Sequence, residues 1–260
     1  MSDFKAITSR ENSLIKLVSF LQTSAKKRRE NGLFVLEGLR ICLDAAENSI
    51  RFDKLIVSET ALSKHSNTVD RFAANSDGRF IIPDSLMEKI SDTKSPQGII
   101  AVCKIKERKS SEIDPLGRYV ALENVADPAN LGAVARTAEA LGANGLVLSS
   151  DGCDPYSPKA LRASMGTLLR VPVFIFDDFA KDLKNTGLKS YACVVDKNAQ
   201  SIKEQEFKDG SVVIIGNEAN GITEQTKAAA DRLVTIPMRG RAESLNAAAA
   251  AAITVWEMMK

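Results

Sequence analysis

Apolar residues recur along this chain in two rhythms. Leu14, Leu17, Val18 and Leu21 fall at helical spacing and predict a helix over residues 11–30, closed by the basic run Lys26-Lys-Arg-Arg29. Short apolar runs follow. Leu33–Glu37, Lys54–Ser58, Arg79–Ile82 and Gly98–Lys104 read as strands, with a short helix over Gly38–Ala46. The alternation predicts a small α/β/α layer. Residues 105–116 are polar, charged and contain Pro115, which marks a linker. The expected division is therefore 1–106, a linker over 107–117, and 118–260.

From residue 118 the periods lengthen. Strands are predicted at Tyr119–Leu122, Gly145–Leu148, Val171–Phe176, Tyr191–Val195, Ser211–Gly216 and Leu233–Ile236. Helices are predicted at Leu131–Leu141, Pro158–Leu169, Phe179–Asn185, Thr223–Arg232 and from Ser244 onward. The strands are nearly continuous apolar runs, as in a parallel sheet covered on both faces. The last helix contains six consecutive alanines and has no polar face from Ala247 to Ile253, so it is expected to be buried all round.

Composition narrows the function classes. The longest apolar run is too short to span a membrane, and the N-terminus lacks the apolar core of a signal peptide, so a cytoplasmic protein is expected. Cys42, Cys103, Cys153 and Cys193 lie far apart and His65 is the single histidine, which argues against a metal site and against a Ser-His-Asp hydrolase. Charge is uneven. Residues 1–110 carry nineteen Lys/Arg and fourteen Asp/Glu, while the rest carries sixteen and nineteen. A basic first half suits either a polyanionic partner or a solvated helix end.

Three loops hold the candidate chemistry. The first runs from Leu122 to Arg136; Asp127-Pro128 is a turn signal and Asn130 reads as the N-cap of the next helix. On that helix Leu131, Val134, Ala135 and Ala138 form an apolar stripe, and Arg136 falls on the opposite side. The second, Gly216-Asn-Glu218-Ala-Asn-Gly221, brackets a carboxylate with glycines at a strand end. The third, Ile236 to Asn246, leads into the alanine helix, where Ser244 reads as a cap or a binding group. The glycine fingerprints of dinucleotide and P-loop sites are missing.

Together the three loops resemble the SpoU (TrmH) family of RNA ribose 2′-O-methyltransferases, of the SPOUT class. The first motif appears as Asn124-Val125, Asp127-Pro128, Asn130, Gly132 and Arg136-Thr-Ala138. The second appears as Gly216-Asn-Glu218-Ala-Asn-Gly221-Ile222, and the third as Ile236-Pro-Met-Arg-Gly240 with Ser244-Leu-Asn246. Pro158-Lys159 and Arg162-Ala-Ser164-Met-Gly166 also match, with Thr167 where a smaller alanine is common. Through Phe34-Val-Leu-Glu37-Gly38 and Arg40, the first hundred residues resemble the family's RNA-binding domain, similar to ribosomal protein L30e.

The resemblance implies an α/β chain: a small L30e-like α/β/α domain, then a trefoil-knotted SPOUT domain that binds S-adenosylmethionine and acts as a homodimer. It implies donor contacts at Gly216, Ile236 and Leu245, and a reacting centre surrounded by Asn130, Arg136, Glu218, Ser244 and Asn246. RNA contacts are expected from Lys26, Lys27, Arg28, Arg29 and Arg40. Arg136 is read as a cation that orients a phosphate and favours a developing alkoxide, because a guanidinium keeps its proton to a pH above about 12. The implied substrate is structured RNA, ribosomal before transfer RNA. The alternative is an RNA-binding protein of this fold without turnover.

Overall fold

The computed structural model describes residues 4–196 and 198–260. The chain divides into two compact units. One comprises residues 1–106 with Tyr156–Arg162, the other Glu107–Pro155 with Ala163–Lys260.

The first unit runs β1 (Lys5–Ala6), α1 (Ser13–Thr23), α2 (Ala25–Asn31), β2 (Leu33–Glu37), α3 (Leu39–Glu47), β3 (Phe52–Ser58), α4 (Glu59–Lys64), α5 (Ser66–Ala74), β4 (Ser76–Ile82), α6 (Asp84–Ile90) and β5 (Ile99–Lys104). Its sheet has the order β1-β4-β3-β5-β2. β1 and β3 pair parallel to β4, while β5 runs antiparallel to β3 and β2. One face packs on α1 and α6 through Ile15, Val18, Leu21, Leu86 and Ile90.

The helix expected over 11–30 is two helices. Ser24 is extended (φ −124°, ψ 112°) and its hydroxyl accepts the Lys27 N–H at 3.2 Å, so it ends α1 and caps α2. The basic run therefore opens inside a new helix rather than closing the old one. It is also split by burial. Arg28 turns inward, 4% exposed, and its guanidinium donates to the Leu21 and Gln22 carbonyls at the end of α1. These are the orphan acceptors every helix C-terminus leaves. Arg28, expected among the RNA contacts, is thus buried as a structural cap for α1. Lys26, Lys27, Arg29 and Arg40 are exposed, with Lys26 and Lys27 both beside Glu30. Glu37 accepts hydrogen bonds from Asp92 N–H, Thr93 N–H and the Thr93 hydroxyl, and so pins the loop after α6.

The second unit runs β6 (Arg118–Leu122), α7 (Pro128–Leu141), β7 (Gly145–Ser149), α8 (Pro158–Ala163), α9 (Thr167–Arg170), β8 (Val173–Phe176), α10 (Phe179–Asn185), β9 (Lys189–Cys193), β10 (Gln200–Ser201), β11 (Ser211–Ile215), α11 (Glu224–Ala229), β12 (Arg232–Thr235) and α12 (Ala247–Met259). Most of α8 is counted with the first unit. Its seven strands are all parallel, in the order β10-β12-β9-β11-β6-β7-β8. The helix expected over Pro158–Leu169 breaks where Met165 (φ 51°) and Gly166 (φ 86°) turn left-handed. Residues 107–117 pack onto this unit: Ile113 is buried in its core, and the Asp114 N–H donates to the Tyr119 hydroxyl at 2.9 Å.

The alanine helix is not buried all round. Ala247, Ala251, Thr254, Val255 and Met258 face inward, where α12 packs on α7. Ala249, Ile253 and Trp256 form an open stripe at i, i+4, i+7, with Ile253 40% and Trp256 56% exposed. Arg118 pins the far end of α12 by donating to the Met258 carbonyl at 2.6 Å.

The inward turn of Arg28 has a measurable consequence. Arg28→Ala should lower unfolding stability by about 2 kcal/mol, since charged hydrogen bonds to buried carbonyls are lost. Lys26→Ala should change it by less than about 0.5 kcal/mol. Equal losses in chemical denaturation would contradict this division of the basic run.

Candidate active site

All strands of the second sheet point the same way, so their carboxyl ends form one rim. The chain starts in the middle at β6, moves out through β7 to β8, then returns to the other side of β6 at β9 and β11. The order reverses beside β6, the place where open parallel sheets bind ligands.

At the end of β6, Glu123 continues the ladder, its N–H on the Ile215 carbonyl at 2.9 Å. Asn124 then turns left-handed (φ 54°), a conformation asparagine tolerates. The Asn124 N–H donates to the Ser149 hydroxyl at 2.8 Å, and that hydroxyl donates back to Asn124 Oδ1 at 3.0 Å. α7 starts with Asp127 as its cap, accepting the Ala129 N–H at 2.9 Å, and Pro128 in its first turn. The cap is therefore not Asn130. Proline fixes the first helical φ and pushes the start upstream, leaving Asn130 inside the helix, 7% exposed and turned inward.

At the end of β11, Gly216 has no room for a side chain: a Cβ there would overlap the Gly221 carbonyl carbon and the Ile222 nitrogen. Asn217 closes the loop by pairing its backbone with Gly221. Its side chain accepts the Ala219 N–H at 2.8 Å and donates to the Asn124 carbonyl at 2.7 Å. That puts Glu218 at the exposed tip of the loop. The third loop leads from β12 to α12. The cap of α12 is Asn246, whose Oδ1 accepts from Ala248 N–H (2.9 Å) and Ala249 N–H (3.3 Å). Ser244 is exposed two residues earlier and does not cap the helix.

One line of side-chain hydrogen bonds joins the three loops. Asn246 Nδ2 donates to Asn130 Oδ1 at 3.0 Å, and Asn130 Nδ2 donates to Glu218 Oε1. An ionised carboxylate only accepts, so Asn130 must present its NH₂ to Glu218. Its oxygen is then left for the Asn246 NH₂, and the Asn246 oxygen for the helix N–H groups.

Beside this line lies a cleft of about 560 Å³, the size of a cofactor site. Gly216, Glu218, Ile236, Ser244 and Leu245 all line it, whereas Asn130, Asn246 and Arg136 do not. Asn130 and Asn246 join the site through Glu218. Arg136 is exposed on the outer side of α7, opposite the buried stripe of Leu131, Val134, Ala135 and Ala138. The lining holds Asp196, Glu218 and Glu243 against Lys227, whose ammonium is 2.7 Å from Glu224. Among the described residues, the lining is therefore acidic. Cys193 also lines it, but burial raises its thiol pKa, only partly offset by a hydrogen-bond contact with Thr254, so it is not an activated nucleophile. Among the described residues, no group of three or more His, Cys, Asp or Glu could hold a metal ion.

A sequence model of the SpoU rRNA Methylase family matches residues 117–256. The chain belongs to this family. A second model, the MRM3-like substrate binding domain, matches residues 12–101. Among SpoU relatives, the 23S rRNA (guanosine(2553)-2′-O)-methyltransferase of Bacillus subtilis is 28% identical over 98% of this chain and 99% of its own length. The 23S rRNA (uridine(2479)-2′-O)-methyltransferase of Streptomyces viridochromogenes is 28% identical over 98% and 92%. A solved structure of an S-adenosylmethionine-bound rRNA methyltransferase from Sinorhizobium meliloti superposes with TM-score 0.84 at 28% identity, covering 98% of this chain and 97% of that one.

Asn124 and Asn217, both motif residues, hold the loops in place together with Glu123, which lies outside the motif residues. The available signal was a glutamate extending an apolar strand, Tyr119-Val-Ala-Leu-Glu123.

The one-way polarity of the line is testable. Asn130→Asp would set two carboxylates together, so the folded protein would hold a shared proton more tightly than the unfolded chain. Its deficit against wild type should grow as pH rises from the ordinary carboxylate range through the raised value, and close in acid. Each tenfold gain in proton affinity on folding adds about 1.4 kcal/mol to that deficit. A pH-independent deficit in denaturation curves would contradict the assignment.

Proposed function

We propose that this chain transfers a methyl group from S-adenosylmethionine to a ribose 2′-hydroxyl of ribosomal RNA. The observation that carries this reading is the line Glu218–Asn130–Asn246 joining three SpoU motifs at the rim of one cleft. The two curated relatives named above act on 23S rRNA and align over nearly the whole chain, which supports the same substrate class.

The cleft suits the donor chemically. S-adenosylmethionine carries one net positive charge at neutral pH, and among the described lining residues Asp196, Glu218 and Glu243 outnumber Lys227. Ile236, Leu245 and Met238 offer apolar walls to an adenine ring, and Gly216 lines the cleft beside them. When bound, the donor supplies a methyl group already activated on a sulfonium. Gly216, Ile236 and Leu245 hold it.

The remaining residues work on the RNA side. Arg136 orients the phosphate beside the target ribose and favours negative charge on the 2′-oxygen as its proton leaves to water or a phosphate oxygen. Asn130, Glu218, Ser244 and Asn246 keep the loops in register, since positioning supplies much of the rate when the donor is activated. Residues 1–106 bind the RNA, with Lys26, Lys27, Arg29 and Arg40 as exposed cations. The protein acts in the cytoplasm as a homodimer, with the open stripe of Ala249, Ile253 and Trp256 meeting a second copy.

Two experiments test these roles. Arg136→Ala should cut methyl transfer by about a hundredfold or more with RNA affinity retained, and Arg136→Lys should recover only part of it. Near wild-type turnover in both would remove Arg136 from the chemistry. Trp256→Glu should convert a dimer to a monomer in sedimentation velocity. A wild-type monomer at micromolar concentration would rule out the dimer.

A further inference from the structure

Glu123 is 3% exposed, yet among the described residues no Lys or Arg is a donor to it. Its Oε2 accepts the Thr223 N–H at 2.8 Å. Its Oε1 accepts the Thr223 hydroxyl at 2.7 Å and the Thr226 hydroxyl at 2.6 Å. A buried carboxylate is expensive to desolvate, so one held by three neutral donors signals a geometric task.

All three donors lie at the start of α11, a helix of six residues that cannot stand by itself. Thr223 is its N-cap: while its hydroxyl donates to Glu123, it accepts the Thr226 N–H at 3.2 Å. A carboxylate there also suits the positive end of the helix. The segment just before Thr223 is the loop Gly216–Ile222, every residue of which lines the cleft. That loop is gripped twice by the chain leaving β6. Asn124 holds it near its start through the Asn217 amide, and Glu123 holds the helix at its end. Together they set where Glu218 stands when it meets Asn130.

We propose that Glu123 is a positioning residue for the methyl-donor site, acting through Thr223 and Thr226 to fix the 216–222 loop without touching donor or RNA. This rests on the reading of the cleft as the S-adenosylmethionine site. Glutamine at 123 can offer its oxygen to the Thr223 N–H only if both threonine hydroxyls turn from donating to accepting its NH₂, whereas a carboxylate takes all three bonds as they stand. Donor affinity should therefore respond while RNA affinity does not.

The experiment uses the full-length protein, with S-adenosylmethionine binding measured by calorimetry and RNA binding and initial rates measured alongside. Glu123→Gln and the isosteric Thr226→Val should each weaken donor binding about tenfold and raise its KM, with the Kd for RNA within about twofold of wild type. Thr226→Ser keeps the hydroxyl and should restore near wild-type donor binding. If Glu123→Gln does not fold, the Thr226→Val and Thr226→Ser pair decides alone. Wild-type donor affinity in Thr226→Val would overturn the positioning role. A wild-type protein that binds no donor, even with RNA present, would instead strike the reading of the cleft.

Discussion

As a carboxylate, Glu218 accepts hydrogen bonds and does not donate them, and the rim of the second sheet is organised around that restriction. Its carboxylate turns Asn130 one way, Asn130 turns Asn246, and Asn246 caps α12. The two contacts span 88 and 116 residues of sequence. Only a parallel sheet that brings the carboxyl ends of β6, β11 and β12 to one rim makes them possible. The sheet, the glycine at 216 and the proline at 128 can all be understood as conditions for that line of amides.

The rim is stiffened by small, specific devices rather than by long elements. Gly216 allows its strand end to touch the Gly221 backbone, and Asn217 ties the resulting loop to Asn124. Gly132 lets α7 approach the backbone at Ala163 and Ser164. On the far side, the Arg170 guanidinium binds Glu139 through both oxygens and holds its carboxyl below the usual glutamate range, joining α7 to α9. α12 has two different faces: small residues pack on α7, while Ile253 and Trp256 stay open. The alanines serve close packing on one side only.

The buried strands were legible in the sequence because both faces of a parallel sheet are covered, leaving continuous apolar runs; those at Leu33–Glu37 and Ser211–Ile215 fall within one residue of expectation. Helix limits were harder. The break at Ser24 depends on one hydroxyl, and the break at Met165 and Gly166 on two left-handed residues, neither of which changes the hydrophobic period. α4 and α5 are short and polar enough to read as loop. Motif order and spacing carry the family resemblance, while local rules assign some motif residues the wrong local contacts. Asn130 looked like a cap because asparagine often is one, yet its partners lie in other loops. Arg28 looked like its basic neighbours until packing turned it inward. Non-local hydrogen bonds such as those of Glu123 leave no periodic trace in a sequence.

The proposed reaction changes one atom's bonding in the substrate, the ribose 2′-oxygen. Ribosomal RNA from cells lacking this gene, incubated with the protein and methyl-labelled S-adenosylmethionine, should gain label at a defined nucleotide. Digestion and mass spectrometry should place the methyl on the ribose 2′-oxygen with the base unchanged. Label on a base, or no transfer despite RNA binding, would contradict the account.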